Sequence, residues 1–248
     1  MKWMLPLALI SVFTLASCKS GEEADDLAKA QECLDEVTEA NYASAADCLP
    51  LVKDHDSQQA KILRCSILMT SGGLTETKIV KGYKALENDQ IPNKEMAFMA
   101  VLALEDPANT GIDIATRGNE QCQGTGVPGL KFISTMILAG TSLAKTMVMN
   151  GITIDLNNPG AAATALLAQC GVDPIPPNCQ QNVASLGPAI VDIAQNYCDQ
   201  EDADDKMCIQ MTSVVAATQG DTTKVGNALL CYMQKPPKAY NAATDGCI

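Results

Sequence analysis

One histidine, His55, stands among 248 residues, a scarcity that argues against catalytic designs built on an imidazole base and against histidine-rich metal sites. No two cysteines have a C-x-x-C spacing, and neither G-x-S-x-G nor H-E-x-x-H occurs, so no resident metal, cofactor or hydrolytic centre is expected. Aromatic residues make up 4% although hydrophobic residues reach 47%, so the core has to be built from Ala, Leu, Ile, Val and Met, residues that favour packed helices. Basic residues are also few: 17 Lys and Arg face 29 Asp and Glu, for a net charge of −12. A chain this acidic gains nothing from nucleic-acid phosphates and is repelled by an anionic membrane face. It has no apolar run of the roughly 20 residues that a comfortable span requires, since Lys131 and Lys145 interrupt its most hydrophobic stretch, residues 127–149.

What is present begins with Met1, Lys2 and Trp3, the apolar run Met4 to Ala16, and then Leu15-Ala16-Ser17-Cys18. One positive charge, a short hydrophobic segment and small residues before a cysteine have the layout of an export signal. The Leu-Ala-Ser-Cys tetrad resembles the lipobox of bacterial lipoproteins. That resemblance implies cleavage between Ser17 and Cys18, a diacylglycerol thioether on Cys18, and, with Lys19 next to it, sorting to the outer membrane. Removing residues 1–17 from 248 leaves 231, and the loss of Lys2 takes the net charge to −13. Anchorage is then expected from lipid and not from a basic patch.

Eleven cysteines, less Cys18, leave ten: Cys33, Cys48, Cys65, Cys122, Cys170, Cys179, Cys198, Cys208, Cys231 and Cys247. In an oxidising envelope these read as up to five disulfides. Cys33, Cys48 and Cys65 are symmetric about successive turns and so share one rung; Cys33 with Cys48 is favoured because it fastens the otherwise frayable first helix, which leaves Cys65 for Cys122, and Cys48 with Cys65 rivals that pairing. Cys170 and Cys179 bracket a proline-rich connector. Cys198 with Cys208 and Cys231 with Cys247 are local choices, with Cys208 and Cys231 as a competitor.

Apolar spacing of three and four residues predicts helices over residues 24–39, 42–53, 57–70, 75–88, 94–105, 127–149, 161–169, 180–197, 204–218 and 222–233. The expected fold is all-α, with stacked antiparallel helical hairpins stapled by disulfides. Residues 1–17 would be the signal, 18–23 a tether, 24–106 an N-terminal helical part, 107–129 a polar loop or linker, and 130–248 a C-terminal part. Gly187-Pro188 is expected to kink its helix. Asn41-Tyr42, Ala45, Leu49, Val52 and Asp56 resemble the second helix of a tetratricopeptide repeat, which implies a helical hairpin and a protein-binding role.

Three further patterns read more simply as structure. Gly124, Gly126 and Gly129 spell G-x-G-x-x-G, but the residues before them are too polar for a buried strand, so they are expected in a loop. Ser142 and Lys145 have the S-x-x-K spacing of penicillin-recognising enzymes without its companion motifs. Asp155 and Asn157 suggest a capping turn, and His55 a solvent-facing turn residue. The function expected is an exported, lipid-anchored, non-enzymatic envelope lipoprotein acting as a protein-binding scaffold; the alternative is an accessory small-molecule binder for uptake.

Overall fold

The computed structural model describes residues 21–91, 93–170, 176–179, 186–198 and 206–234. The chain is all-helical, with no strand among the described residues. The helices are α1 (Gly21–Asp35), a 3-10 helix (Tyr42–Leu51), α2 (Gln58–Ser71), α3 (Glu76–Glu87), α4 (Lys94–Leu102), α5 (Thr110–Gln123), α6 (Pro128–Met149), α7 (Pro159–Cys170), α8 (Leu186–Asn196), α9 (Lys206–Ala217) and α10 (Thr222–Gln234).

Local chemistry sets several of these boundaries. The Ser57 hydroxyl accepts the Ala60 amide at 3.1 Å, and the Thr75 hydroxyl accepts the Lys78 amide at 3.3 Å, so α2 and α3 each start on a side-chain cap. Pro128 opens α6, where its missing N–H costs nothing. Asp106, itself at φ 48°, accepts from Asn109 Nδ2, the Thr110 amide and Thr110 Oγ1, capping the start of α5. These bonds hold its carboxyl below the usual aspartate range.

Two expectations are corrected here. Residues 42–53, expected as a helix bent at Pro50, form a 3-10 helix with Pro50 inside it. The stretch 107–129, expected as loop, contains α5. The buried face of α5 is Gly111, Ala115, Gly118 and Cys122, a helical stripe made almost wholly of small residues, so its hydrophobic signal is weak. Smaller differences follow the same logic. Residues 21–23 of the expected tether are already helical, and α4 ends at Leu102. Pro188 is the third described residue of α8.

The main apolar cluster takes residues from α2, α4, α5, α6, α7, α8, α9 and α10, so both sides of α5 share it. A satellite cluster of Ala30, Cys48, Val52, Leu63 and Ile67 lies under α1. The centre of the main cluster is α4 against α6. Met96 through Leu102 are all buried, and α6 buries Met136, Ile137, Leu143 and Met147. Each of the larger side chains among them contributes about 1.5–3 kcal/mol of transfer free energy. Two helix crossings are set by missing side chains: a Cβ on Gly140 would overlap the Met99 carbonyl oxygen, and one on Gly187 the Thr222 carbonyl oxygen. With few aromatics to fill space, helices instead approach backbone to backbone.

Among the described residues, four disulfides brace this frame. Cys33–Cys48 ties α1 to the 3-10 helix, and Cys65–Cys122 ties α2 to α5. Cys170–Cys179 closes the proline connector after α7, and Cys198–Cys208 joins the end of α8 to α9. Of the pairings left open by the sequence, Cys48 with Cys65 and Cys208 with Cys231 are therefore not formed. Ser17, Cys18 and Cys247 lie outside the described residues, as does the side chain of Cys231.

Candidate binding cleft

Between α3, the end of α4 and the end of α6 lies an open cleft of about 460 Å³. One wall is the connector between α4 and α5, with Ala103, Leu104 and Glu105; the other is the run Ile152 to Leu156 after α6. Ala100, Ala144 and Val148 complete an apolar floor.

On the first wall the Ala103 carbonyl and the Leu104 and Glu105 amides are all bonded. Lys78 Nζ donates to the Ala103 carbonyl at 2.7 Å and pairs with Glu105 Oε1 at 2.7 Å. The Leu104 amide donates to Thr141 Oγ1 at 3.0 Å, and the Glu105 amide to the Gly72 carbonyl at 2.8 Å. Lys78 is only 6% exposed, a burial tolerable because its ammonium closes the C-terminal end of α4, where the helix dipole favours a cation. Glu105 keeps half of its side chain in solvent, so the pair reaches the mouth of the cleft.

The second wall is different. The Ile152 amide returns to the Met147 carbonyl at 2.9 Å, and the Asp155 carbonyl accepts the Asn158 amide at 2.9 Å. Between them, the main chains of Thr153 and Ile154 have no hydrogen-bond partner among the described residues. Burial alternates along the run: Ile152 is buried, Ile154 and Leu156 are partly buried, and Thr153 and Asp155 are exposed. That is the period of an extended chain with one face on the core. Beyond it, Lys81 Nζ reaches Asn157 Oδ1 at 3.4 Å, fastening α3 to the far end of the cleft.

Sequence reasoning did not single out the cleft. Lys78 and Glu105 are ordinary helix-end charges in one dimension, and only the fold makes them a buried pair. Nor did it find a polar node between α5, α6 and α8. There Asn119 Oδ1 accepts from Ser134 Oγ at 2.7 Å, and Thr135 Oγ1 donates to Asp192 Oδ2 at 2.9 Å. Gln123 Nε2 donates to Thr135 Oγ1 at 2.9 Å, and Asn196 Nδ2 to Asp192 Oδ1 at 2.7 Å. Tyr197 packs edge-on to Phe132 beside this node, and burial together with the Asp192 carboxylate raises its phenol above the usual tyrosine range. These groups satisfy one another, which makes the node a structural lock on three helices.

The motifs considered from sequence resolve as follows. Ser142 is fully buried in the middle of α6, where no substrate reaches it. Gly124 caps α5, Gly126 turns the chain at φ +69°, and Gly129 lies in the first turn of α6. Asp155 Oδ1 accepts the Asn157 amide at 2.8 Å, a capping turn. His55 departs from its expected solvent-facing role: its Nε2 lies 3.2 Å from Asp26 Oδ2 with the side chain 22% exposed. Arg64, also unremarked in the sequence, donates through Nη1 to the Val52, Lys53 and His55 carbonyls and through Nε to Gln121 Oε1. It closes the carbonyl end of the 3-10 helix and links it to α5. No family model, curated protein or solved structure matches the chain.

Proposed function

We propose that this protein is a lipid-anchored envelope lipoprotein of the outer membrane whose helical body binds another protein and carries out no chemistry of its own. The observation that supports a contact role is the cleft between α4, α6 and residues 152–156, an apolar groove held open by a disulfide-braced frame. Preorganised grooves of this kind favour binding because little order remains to be imposed on association. The disulfides suit an oxidising compartment. The Leu15-Ala16-Ser17-Cys18 tetrad supports acylation at Cys18, and the net charge leaves lipid as the means of attachment.

The test is photocrosslinking in the intact envelope from a reactive residue placed at Val148, at the cleft, against one at Ile209 on α9, a comparably exposed apolar position. A discrete protein adduct from Val148 and none from Ile209 supports the reading; no adduct from either, with the protein in the envelope, overturns it. Intact mass before and after reduction tests the anchor. Acylated Cys18 is expected, and an unmodified first residue refutes it.

A second reading has one observation in its favour: about 460 Å³ lies within the range of small-molecule pockets, so an uptake accessory would use the same cleft.

A further inference from the structure

Inside the cleft, the two walls differ in one respect that bears on what fills it. In the α4–α5 connector the Ala103 carbonyl and the Leu104 and Glu105 amides are bonded to Lys78, Thr141 and Gly72, whereas no hydrogen bond among the described residues engages the main chain of Thr153 or Ile154, both of which line the cleft. Main-chain groups next to a surface that excludes water are costly unless paired, and an extended run with free groups on one edge is the template on which a second extended chain forms hydrogen bonds. A small apolar molecule would fill the floor and leave these groups unpaired. A helix would do the same, because its own main chain is already internally bonded.

From this juxtaposition we infer that residues 152–156 form a docking edge on which an extended segment of the partner protein adds as a strand. This deepens the scaffold reading and rests on it. The segment pairs its main chain with one of Thr153 and Ile154, since successive residues of an extended run face opposite edges, and its alternate side chains enter the apolar floor over Ala100, Ala144 and Val148. Charge selects the ends of the segment. Lys78 is paired with Glu105 and Lys81 reaches Asn157, so among the described residues no unpaired cation lining the cleft offsets the net charge of −12. An apolar stretch flanked by Lys or Arg is the complement.

The test titrates the folded, oxidised protein with a synthetic peptide of alternating valine and threonine set between paired lysines. Three comparison peptides carry glutamate pairs, N-methyl groups on the amides of one edge, or N-methyl groups on the amides of the other. The lysine-flanked peptide is expected to bind, and the glutamate-flanked one to bind at least about tenfold more weakly at low salt. N-methylation along one edge should weaken binding by about tenfold per amide while the other edge tolerates it, since successive amides of an extended chain face opposite ways. On the protein, one of Thr153→Pro and Ile154→Pro should reproduce that loss and the other should not. The peptide series on unaltered protein stands even if a proline variant fails to fold. Absence of binding by the lysine-flanked peptide, or equal loss from methylation of both edges, overturns the docking edge. If a protein adduct still forms at Val148 in that case, the docking edge alone fails; if no adduct forms there, the scaffold reading falls with it.

Discussion

Removal of the Cys65–Cys122 bridge puts a number on how much of this fold depends on sulfur. Its cysteines are 57 residues apart, against 15 for Cys33–Cys48. In the chain-entropy description, closing loops of those lengths stabilises by about 4 and about 3 kcal/mol at 25 °C. The environments widen the gap. Cys65 and Cys122 are 2% and 0% exposed, so replacing both by alanine also leaves a small void at the α2–α5 contact, costing roughly 1 kcal/mol more. The double variant Cys65→Ala/Cys122→Ala should therefore lose about 5 kcal/mol, and Cys33→Ala/Cys48→Ala closer to 3. For a chain of this size the first loss corresponds to a fall in Tm on the order of 10–20 °C. Urea unfolding of the oxidised variants, followed by far-ultraviolet circular dichroism, measures both. If loss of the longer loop costs no more than loss of the shorter one, the reasoning from loop length and burial is refuted.

Gly140→Ala, whose Cβ meets the Met99 carbonyl, should destabilise by about 1–3 kcal/mol, whereas Gly129→Ala, with open space around it, should stabilise by about 0.4–1 kcal/mol; thermal melts of the pair decide this. Limited reduction under native conditions, with alkylation and peptide mass mapping, should label Cys198 and Cys208 first, both being partly exposed. Cys170 and Cys179, at 0% and 1% exposure, should resist longest together with Cys65 and Cys122. Lys78→Ala should cost about 1–3 kcal/mol in urea unfolding, because the Ala103 carbonyl is left without its buried donor. Tyr197 should titrate above free tyrosine, and Asp192→Asn should lower its midpoint, read as the ultraviolet difference from Tyr197→Phe. A phenol with a raised folded pKa holds its proton more tightly in the native state. Its contribution to stability is therefore complete below about pH 10 and fades as pH rises through the folded value.

Legibility in the sequence followed side-chain size. Where buried faces carry Leu, Ile or Met, as in α2 and α6, the three- and four-residue spacing located the helix to within a few residues. In α5 the buried face is Gly111, Ala115, Gly118 and Cys122. Their steps of four, three and four have the helical period, so a search for small residues at that spacing would have found the helix where a search for hydrophobic ones did not. The 3-10 helix was misread for a different reason. Tyr42, Ala45, Leu49 and Val52 keep the helical step and Pro50 signals a bend, but side-chain periodicity does not distinguish a 3-10 from an α-helical backbone. The cleft was not legible because neither wall is a pattern. Lys78, Ala103 and Thr141 come from three segments, and what matters on the opposite wall at Thr153 and Ile154 is the partnering of main-chain atoms, which no residue type encodes.

That contrast also explains why the frame and the cleft belong together. A core with few aromatic rings gains less burial per side chain, so it gains stability instead from close helix crossings at Gly140 and Gly187 and from shortening the unfolded ensemble with disulfides. Both devices fix backbone position more strictly than bulky side chains do, since a glycine crossing tolerates almost no sliding before carbonyl and Cα collide. The end of α6 and the α4–α5 connector are set by the Gly140 crossing with Met99 and by the Thr141 bond to Leu104, one residue apart on the same helix. The spacing between the walls of the cleft is thus decided deep in the core. A substitution at Gly140 should change what the cleft binds as well as how stably the protein folds, and Gly140→Ala assayed with the lysine-flanked peptide separates the two. Weaker peptide binding at a temperature where the variant is still fully folded is the expected result. Unchanged binding in a destabilised protein would mean that the walls are positioned locally and that the core crossing does not govern them.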